Sequence, residues 1–167
     1  MAANNVKILK HGYTTQRFRT ILNVELGIES GDAMLGATQT GTNYASLCLT
    51  GDPEQGTDMF AGVSKSGSTA TASVDGVIDI ELVGPGTILE AKVTTATNTN
   101  TDAKILALLN DFVTFDRSAA TAAGTLTVDE DEGTDFDVHG LMMLDFNITN
   151  GAVYFTPTNA TLWRGLV

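Results

Sequence analysis

The sequence predicts a mainly β fold, either a β-barrel or a β-sandwich, with one short α-helix and an extended N-terminal arm. The first observation is the composition: threonine is the most frequent residue, at 25 positions, beside 17 glycines and 3 prolines. The branched Cβ of threonine is favoured on the half-buried surface of a sheet. The second is a series of strand-length segments separated by Gly, Asn and Asp turns, and the third is one capped amphipathic run.

The charge divides the chain into a basic arm, residues 1–24, and an acidic β-rich domain, residues 25–167. The arm contains no acid and four cations: Lys7, Lys10, Arg17 and Arg19. It therefore carries +4, and the other 143 residues carry −15, which gives the net charge of −11. Polar residues on both faces of this stretch bury little surface, so we expect the arm to leave the body and pair with the sheet edge of an acidic partner. An ordinary basic first strand and a nucleic-acid arm are the alternatives.

The first half of the domain is predicted to form a succession of short strands. A hairpin is expected at Asp75-Gly76, which is a strong turn signal between the segments 69–74 and 77–83. In the second of these segments three aliphatic residues alternate with two carboxylates, as in a sheet with one solvated face. The other strands of this half are expected at 21–28, 44–49 and 87–93.

One helix is predicted from Asp102 to Phe115. Thr101 is suited to the N-cap, and Asp102 lies at the positive end of the helix. An apolar stripe with helical spacing follows, which predicts a face packed on the core: Ile105, Leu108, Leu109 and Phe112.

The C-terminal part is predicted to return to short strands. These are expected at 125–128, at 139–148, at 152–156 after the turn Thr149-Asn150-Gly151, and at 160–167. Between the first two lies an acidic run, 129–137, with six carboxylates in nine residues. A solvated hairpin tip is the favoured interpretation, and a weak cation site is the alternative, with alternating ligands around Gly133: Asp129, Asp131, Asp135 and Asp137.

Several classes of protein are disfavoured. The acidic charge argues against nucleic-acid binding, and the longest aliphatic run, 105–109, is too short for a membrane span. The N-terminus lacks a signal-peptide pattern, so synthesis in a cytoplasm is expected. The lone Cys48 excludes an internal disulfide and is expected to be a buried structural thiol. Since no catalytic or metal-ligand motif stands out, we expect no enzymatic activity and no cofactor.

Residues 26–93 resemble the head decoration (cement) proteins of tailed bacteriophages. The likeness is one of type and rests on three stretches: Met59-Phe60-Ala61-Gly62-Val63-Ser64, then Asp75-Gly76-Val77-Ile78-Asp79-Ile80 after a Ser/Thr/Ala-rich loop, and Gly86-Thr87-Ile88-Leu89-Glu90-Ala91.

The resemblance implies a structural virion protein that binds the major capsid protein on the outer surface of the shell and stabilises it. It also implies a homo-oligomer, most often a trimer, and docking through an N-terminal arm. The alternative is a virion appendage or a carbohydrate-binding β-sandwich module, which requires an exposed aromatic platform.

Overall fold

The fold is mainly β, with a closed five-stranded barrel, a separate six-stranded sheet and one short helix. The computed structural model describes residues 6–10, 15–20, 28–39, 42–54, 58–95, 97, 100–108, 111–118, 126–130, 140–158 and 162. The prediction of a mainly β fold with a β-barrel and one short helix is confirmed. Most of the acidic run lies outside the described residues, as do the predicted strands 21–28 and 160–167 apart from residues 28 and 162.

The barrel is formed by five strands in the order β2, β4, β3, β5, β6. Their bounds are β2 Thr15–Thr20, β3 Ala33–Gln39, β4 Thr42–Leu47, β5 Phe60–Ser64 and β6 Gly76–Leu82. β2 pairs along its length with β6 and meets β4 in parallel at Arg19 and Tyr44, which closes the barrel. The inward residues form a compact interior of Phe18, Ile28, Met34, Ala45, Leu47, Ala61, Ile78 and Ile80.

The six-stranded sheet has the order β1, β7, β11, β10, β8, β9. Its strands are β1 Lys7–Lys10, β7 Ile88–Lys92, β8 Phe112–Arg117, β9 Leu126–Asp129, β10 Leu141–Asn147 and β11 Ala152–Pro157. All the neighbouring strands of this sheet are antiparallel. The predicted turn at Thr149-Asn150-Gly151 is confirmed, because it joins β10 to β11 and its glycine has a φ of 57°.

A larger core lies between the barrel and the inner face of the sheet. Phe60 of β5 packs on Phe115 of β8 with ring centroids 5.6 Å apart, and Phe115 meets Phe155 of β11 edge-on at 5.8 Å. Such tilted aromatic contacts are favourable beyond the area they bury. Residues of both parts contribute to this cluster, so the barrel and the sheet share one hydrophobic core.

The helix, α1 (Asp102–Leu108), is shorter than predicted. Its start is confirmed: the backbone N–H of Lys104 donates to Oγ1 of Thr101, 3.4 Å away, and Ile105 is buried. The predicted end was wrong, because residues 112–115 belong to strand β8. The apolar spacing that extended the helix to Phe112 comes instead from a β-strand that is buried along most of its length.

The described parts of the predicted N-terminal arm are strands of the domain. β1 pairs with β7 at the edge of the sheet, and β2 pairs with β6 inside the barrel wall. The prediction that this stretch buries little surface was wrong for Val6, Phe18 and Thr20, which are buried. For residues 7–10 and 15–20 the alternative of an ordinary basic strand is the better description.

Two further details differ from prediction. Residues 69–74 form no strand, so Asp75-Gly76 is not the turn of a hairpin, although β6 itself and its alternation are as predicted. Strand β10 does not have the single apolar face that the alternation of Met142, Leu144, Phe146 and Ile148 predicts, because a bulge near Leu144 shifts its register. Met143 and Phe146 face the core, whereas Met142 and Leu144 are exposed.

Candidate functional site

Two of the four predicted docking cations form ion pairs within the chain. Arg17 on β2 lies opposite Asp79 on β6, and its Nε and Nη2 donate to the two carboxylate oxygens at 2.8 and 3.1 Å. These shared hydrogen bonds raise the pKa of Arg17 and lower the pKa of Asp79. Nζ of Lys7 lies 3.5 Å from Oε1 of Glu90. Both cations are therefore partly neutralised by the acidic body.

The other two cations, Lys10 and Arg19, form no ion pair with any residue that the structure describes. Arg19 projects from the outer surface of the barrel, because its strand neighbours Phe18 and Thr20 face inward. Across the barrel wall Arg19 lies between Tyr44 of β4 and Val77 of β6. The structure thus presents an exposed guanidinium beside an aromatic ring and an aliphatic side chain.

The predicted cation site is only partly described. Asp129 ends strand β9, and Asp131, Asp135 and Asp137 lie outside the described residues. Glu130 is fully buried, and its Oε2 accepts a hydrogen bond from the backbone N–H of Thr95 at 3.3 Å, so this residue of the acidic run is not solvated as expected. No three potential metal ligands come together in the described part of the chain.

Cys48 is buried, as predicted, and burial raises the pKa of its thiol well above the ordinary value. A neutral, enclosed thiol is a poor nucleophile. Nearby, Asp52 accepts a 2.6 Å hydrogen bond from the backbone N–H of Leu49. Burial, assisted by the negative charges of Asp58 and Glu54, raises the pKa of Asp52 to about 6.

A shallow apolar groove of about 240 Å³ crosses the outer face of the six-stranded sheet. Strands β7 and β11 form its floor with Ile88 and Tyr154. Its walls are Leu9 and Lys10 on β1 and Leu144 and Asp145 on β10. This groove could not be predicted from the sequence, because each wall depends on a β-bulge, which breaks the two-residue alternation that indicates the faces of a strand.

Comparisons of the chain with protein-family models, with curated proteins and with solved structures found no match. Within the described residues, no helix combines the length and the apolar character needed to cross a lipid bilayer.

Proposed function

We propose that this chain is a structural virion protein, a decoration protein that binds the major capsid protein on the outer surface of a tailed-bacteriophage head and stabilises the shell. The proposal assigns it no catalytic role and no cofactor. In the assembled head it acts as a homo-oligomer, for which the sequence resemblance implies a trimer.

The observation that carries the proposal is the exposed Arg19 on the barrel wall. In a chain of net charge −11, an exposed cation that forms no ion pair with a described residue is suited to an acidic partner. The flanking Tyr44 and Val77 add apolar contact area around the guanidinium. This arrangement replaces the free arm as the docking element, since β2 is part of the barrel.

The stretches that resemble decoration proteins support the same function, and each contains a strand of the fold, two in the barrel and one in the six-stranded sheet. The segment Phe60–Ser64 is β5, Gly76–Leu82 is β6, and Ile88–Lys92 is β7. A rigid barrel wall is a suitable support for a repeated contact on a lattice. Each exposed charge contact contributes only about 0–1 kcal/mol, so stable decoration depends on many copies that act together.

The test is to add the purified chain to phage capsids that lack it, and to measure occupancy by co-sedimentation and position by electron cryomicroscopy. We expect the chain on the outer surface and a shell that resists heating better. Arg19→Glu is expected to lower occupancy, most strongly at low salt. Lys104→Glu on α1, which makes the same change in net charge, is the matched control.

Failure of the unmodified chain to bind any capsid surface would overturn the decoration function. Equal occupancy for Arg19→Glu and Lys104→Glu would instead retain the function and remove Arg19 from the contact.

A further inference from the structure

Two β-bulges shape the outer face of the six-stranded sheet. One shifts the register of β1 between Ile8 and Lys10, and the other shifts β10 between Met143 and Asp145. In each bulge the additional residue is a leucine that is exposed: Leu9 at 47% and Leu144 at 38%. Bulges redirect side chains, and here both redirected leucines lie on the two sides of one groove.

The residue that follows each leucine carries a charge, and the two charges are opposite. Lys10 lies on the β1 wall and Asp145 on the β10 wall. Neither forms an ion pair with a described residue, whereas Lys7 and Glu90 on the same sheet neutralise each other. The groove is therefore apolar at its centre, positive along one wall and negative along the other.

We propose that this groove is the contact surface of a two-fold pair of this chain, in which Lys10 of each copy lies opposite Asp145 of the other. A two-fold contact uses the same surface on both copies, so that surface must complement itself. The groove meets this requirement because it contains both signs of charge. A uniformly acidic or basic partner would complement only one wall.

The charges also select the orientation of the pair. When the sheets stack face to face about an axis that lies in the interface and crosses the line from Lys10 to Asp145 at its midpoint and at right angles, β1 of each copy lies over β10 of the other, and both charge pairs form. An axis in the interface that runs along the line from Lys10 to Asp145 would place Lys10 over Lys10 of the second copy. Like charges in contact are strongly unfavourable, so only the first arrangement places opposite charges together at both walls of the groove.

The size of the groove predicts a weak pair. Stable interfaces involve roughly 20–30 residues on each partner, whereas six residues line the groove. The exposed Met142 extends the apolar surface along β10. This pairing does not depend on the capsid function, and it differs from the trimer that the sequence resemblance implies.

The mass of the purified chain over a concentration series, measured by sedimentation equilibrium, tests the pairing. We expect a monomer–dimer equilibrium for the unmodified chain. Lys10→Glu and Asp145→Lys should each raise the dissociation constant about tenfold or more, because each places like charges together twice in the pair. Lys104→Glu, which matches Lys10→Glu in charge, should leave the constant unchanged.

Mixing the two single variants is the decisive measurement. Glu at position 10 of one variant then faces Lys at position 145 of the other, and the native Lys10 faces the native Asp145, so a one-to-one dimer should form. Asp145→Asn retains the acceptor for the backbone N–H of Phe146. It is expected to weaken pairing by less than Asp145→Lys. The comparison of the two variants separates the effect of the charge at position 145 from an effect on folding.

Circular dichroism verifies the fold of every variant. A chain that is monomeric at every concentration, a trimer, a dimer indifferent to both single variants, or a mixture that does not associate would each overturn the proposal.

Discussion

Nη2 of Arg117 lies 3.0 Å from Oδ1 of Asp32, and this ion pair joins the sheet to the barrel. Arg117 ends strand β8 of the sheet, whereas Asp32 immediately precedes β3 of the barrel. Nε of the same side chain donates to the carbonyl oxygen of Cys48, just after β4, at 3.0 Å. Only 1% of the Arg117 side chain is exposed. Because a buried charge is costly to remove from water, the Arg117 guanidinium is stable in this position only with its ion pair and hydrogen bonds.

Replacement of Arg117 by methionine should destabilise the fold by about 3 kcal/mol, because it removes one member of a buried pair and leaves the Asp32 carboxylate without its cation. Arg17→Met is the matched control, since Arg17 also binds a carboxylate but is exposed, with 68% of its side chain in solvent. Urea unfolding measures both changes. Equal losses of stability would mean that Arg117 does not hold the barrel to the sheet.

Gly62→Ala should be far more damaging than Gly86→Ala. Both glycines have a positive φ, 152° and 79°. A Cβ at position 62 would lie 2.0 Å from the carbonyl oxygen of Glu81, whereas a Cβ at position 86 would meet no atom within 4 Å. We expect a loss of about 1 kcal/mol at Gly86 from backbone strain alone, and of more than about 3 kcal/mol at Gly62, where strand β6 must also move. Melting temperatures of the two variants will decide this.

Asp52 should make the protein less stable as the pH rises. Its pKa is about 6 in the folded chain against 3.8 as the ordinary value, so the folded state holds a proton that the unfolded state has lost. The free energy of unfolding contributed by this group therefore falls between pH 3.8 and about pH 6. Asp52→Asn should match the unmodified chain below this range and exceed its stability above it. Urea midpoints across the range give the difference, and parallel curves would contradict the assignment.

Phe18 and Arg19 are neighbours on β2 that face opposite sides of the barrel wall. Phe18→Ala should cost about 3–5 kcal/mol, because it empties a site in the barrel interior. Arg19→Ala should change the stability little, since its side chain is exposed. Thermal unfolding of the two variants distinguishes a structural strand from a docking arm, because a free arm would tolerate both substitutions.

The sequence predicted the elements whose signals are local. The cap at Thr101, the turn before Gly151 and the alternation around Asp79 all depend on neighbouring residues, and all were found. The end of the helix was missed because the position of Phe112 fits the apolar spacing of a helix as well as that of a buried strand.

Features that depend on pairing between distant strands could not be predicted in the same way. Nothing near Arg17 in the sequence indicates Asp79 as its partner, 62 residues away. The walls of the groove depend on bulges at Leu9 and Leu144, and a bulge is determined by the pairing of a strand with its neighbour. The candidate surfaces therefore came from the structure, and of their charged residues the sequence singled out only Lys10 and Arg19.

The pairing of β2 with β6 has a consequence for synthesis. Residues 15–20 leave the ribosome long before their partner residues 76–82, and residues 7–10 long before their partner residues 88–92. In that interval Phe18 and Ile8 are apolar side chains in unpaired β-prone segments, which favour aggregation. Flanking cations oppose such association in newly made chains. Lys7, Lys10, Arg17 and Arg19 are therefore suited to act as gatekeepers that keep the nascent N-terminus soluble until its partners emerge.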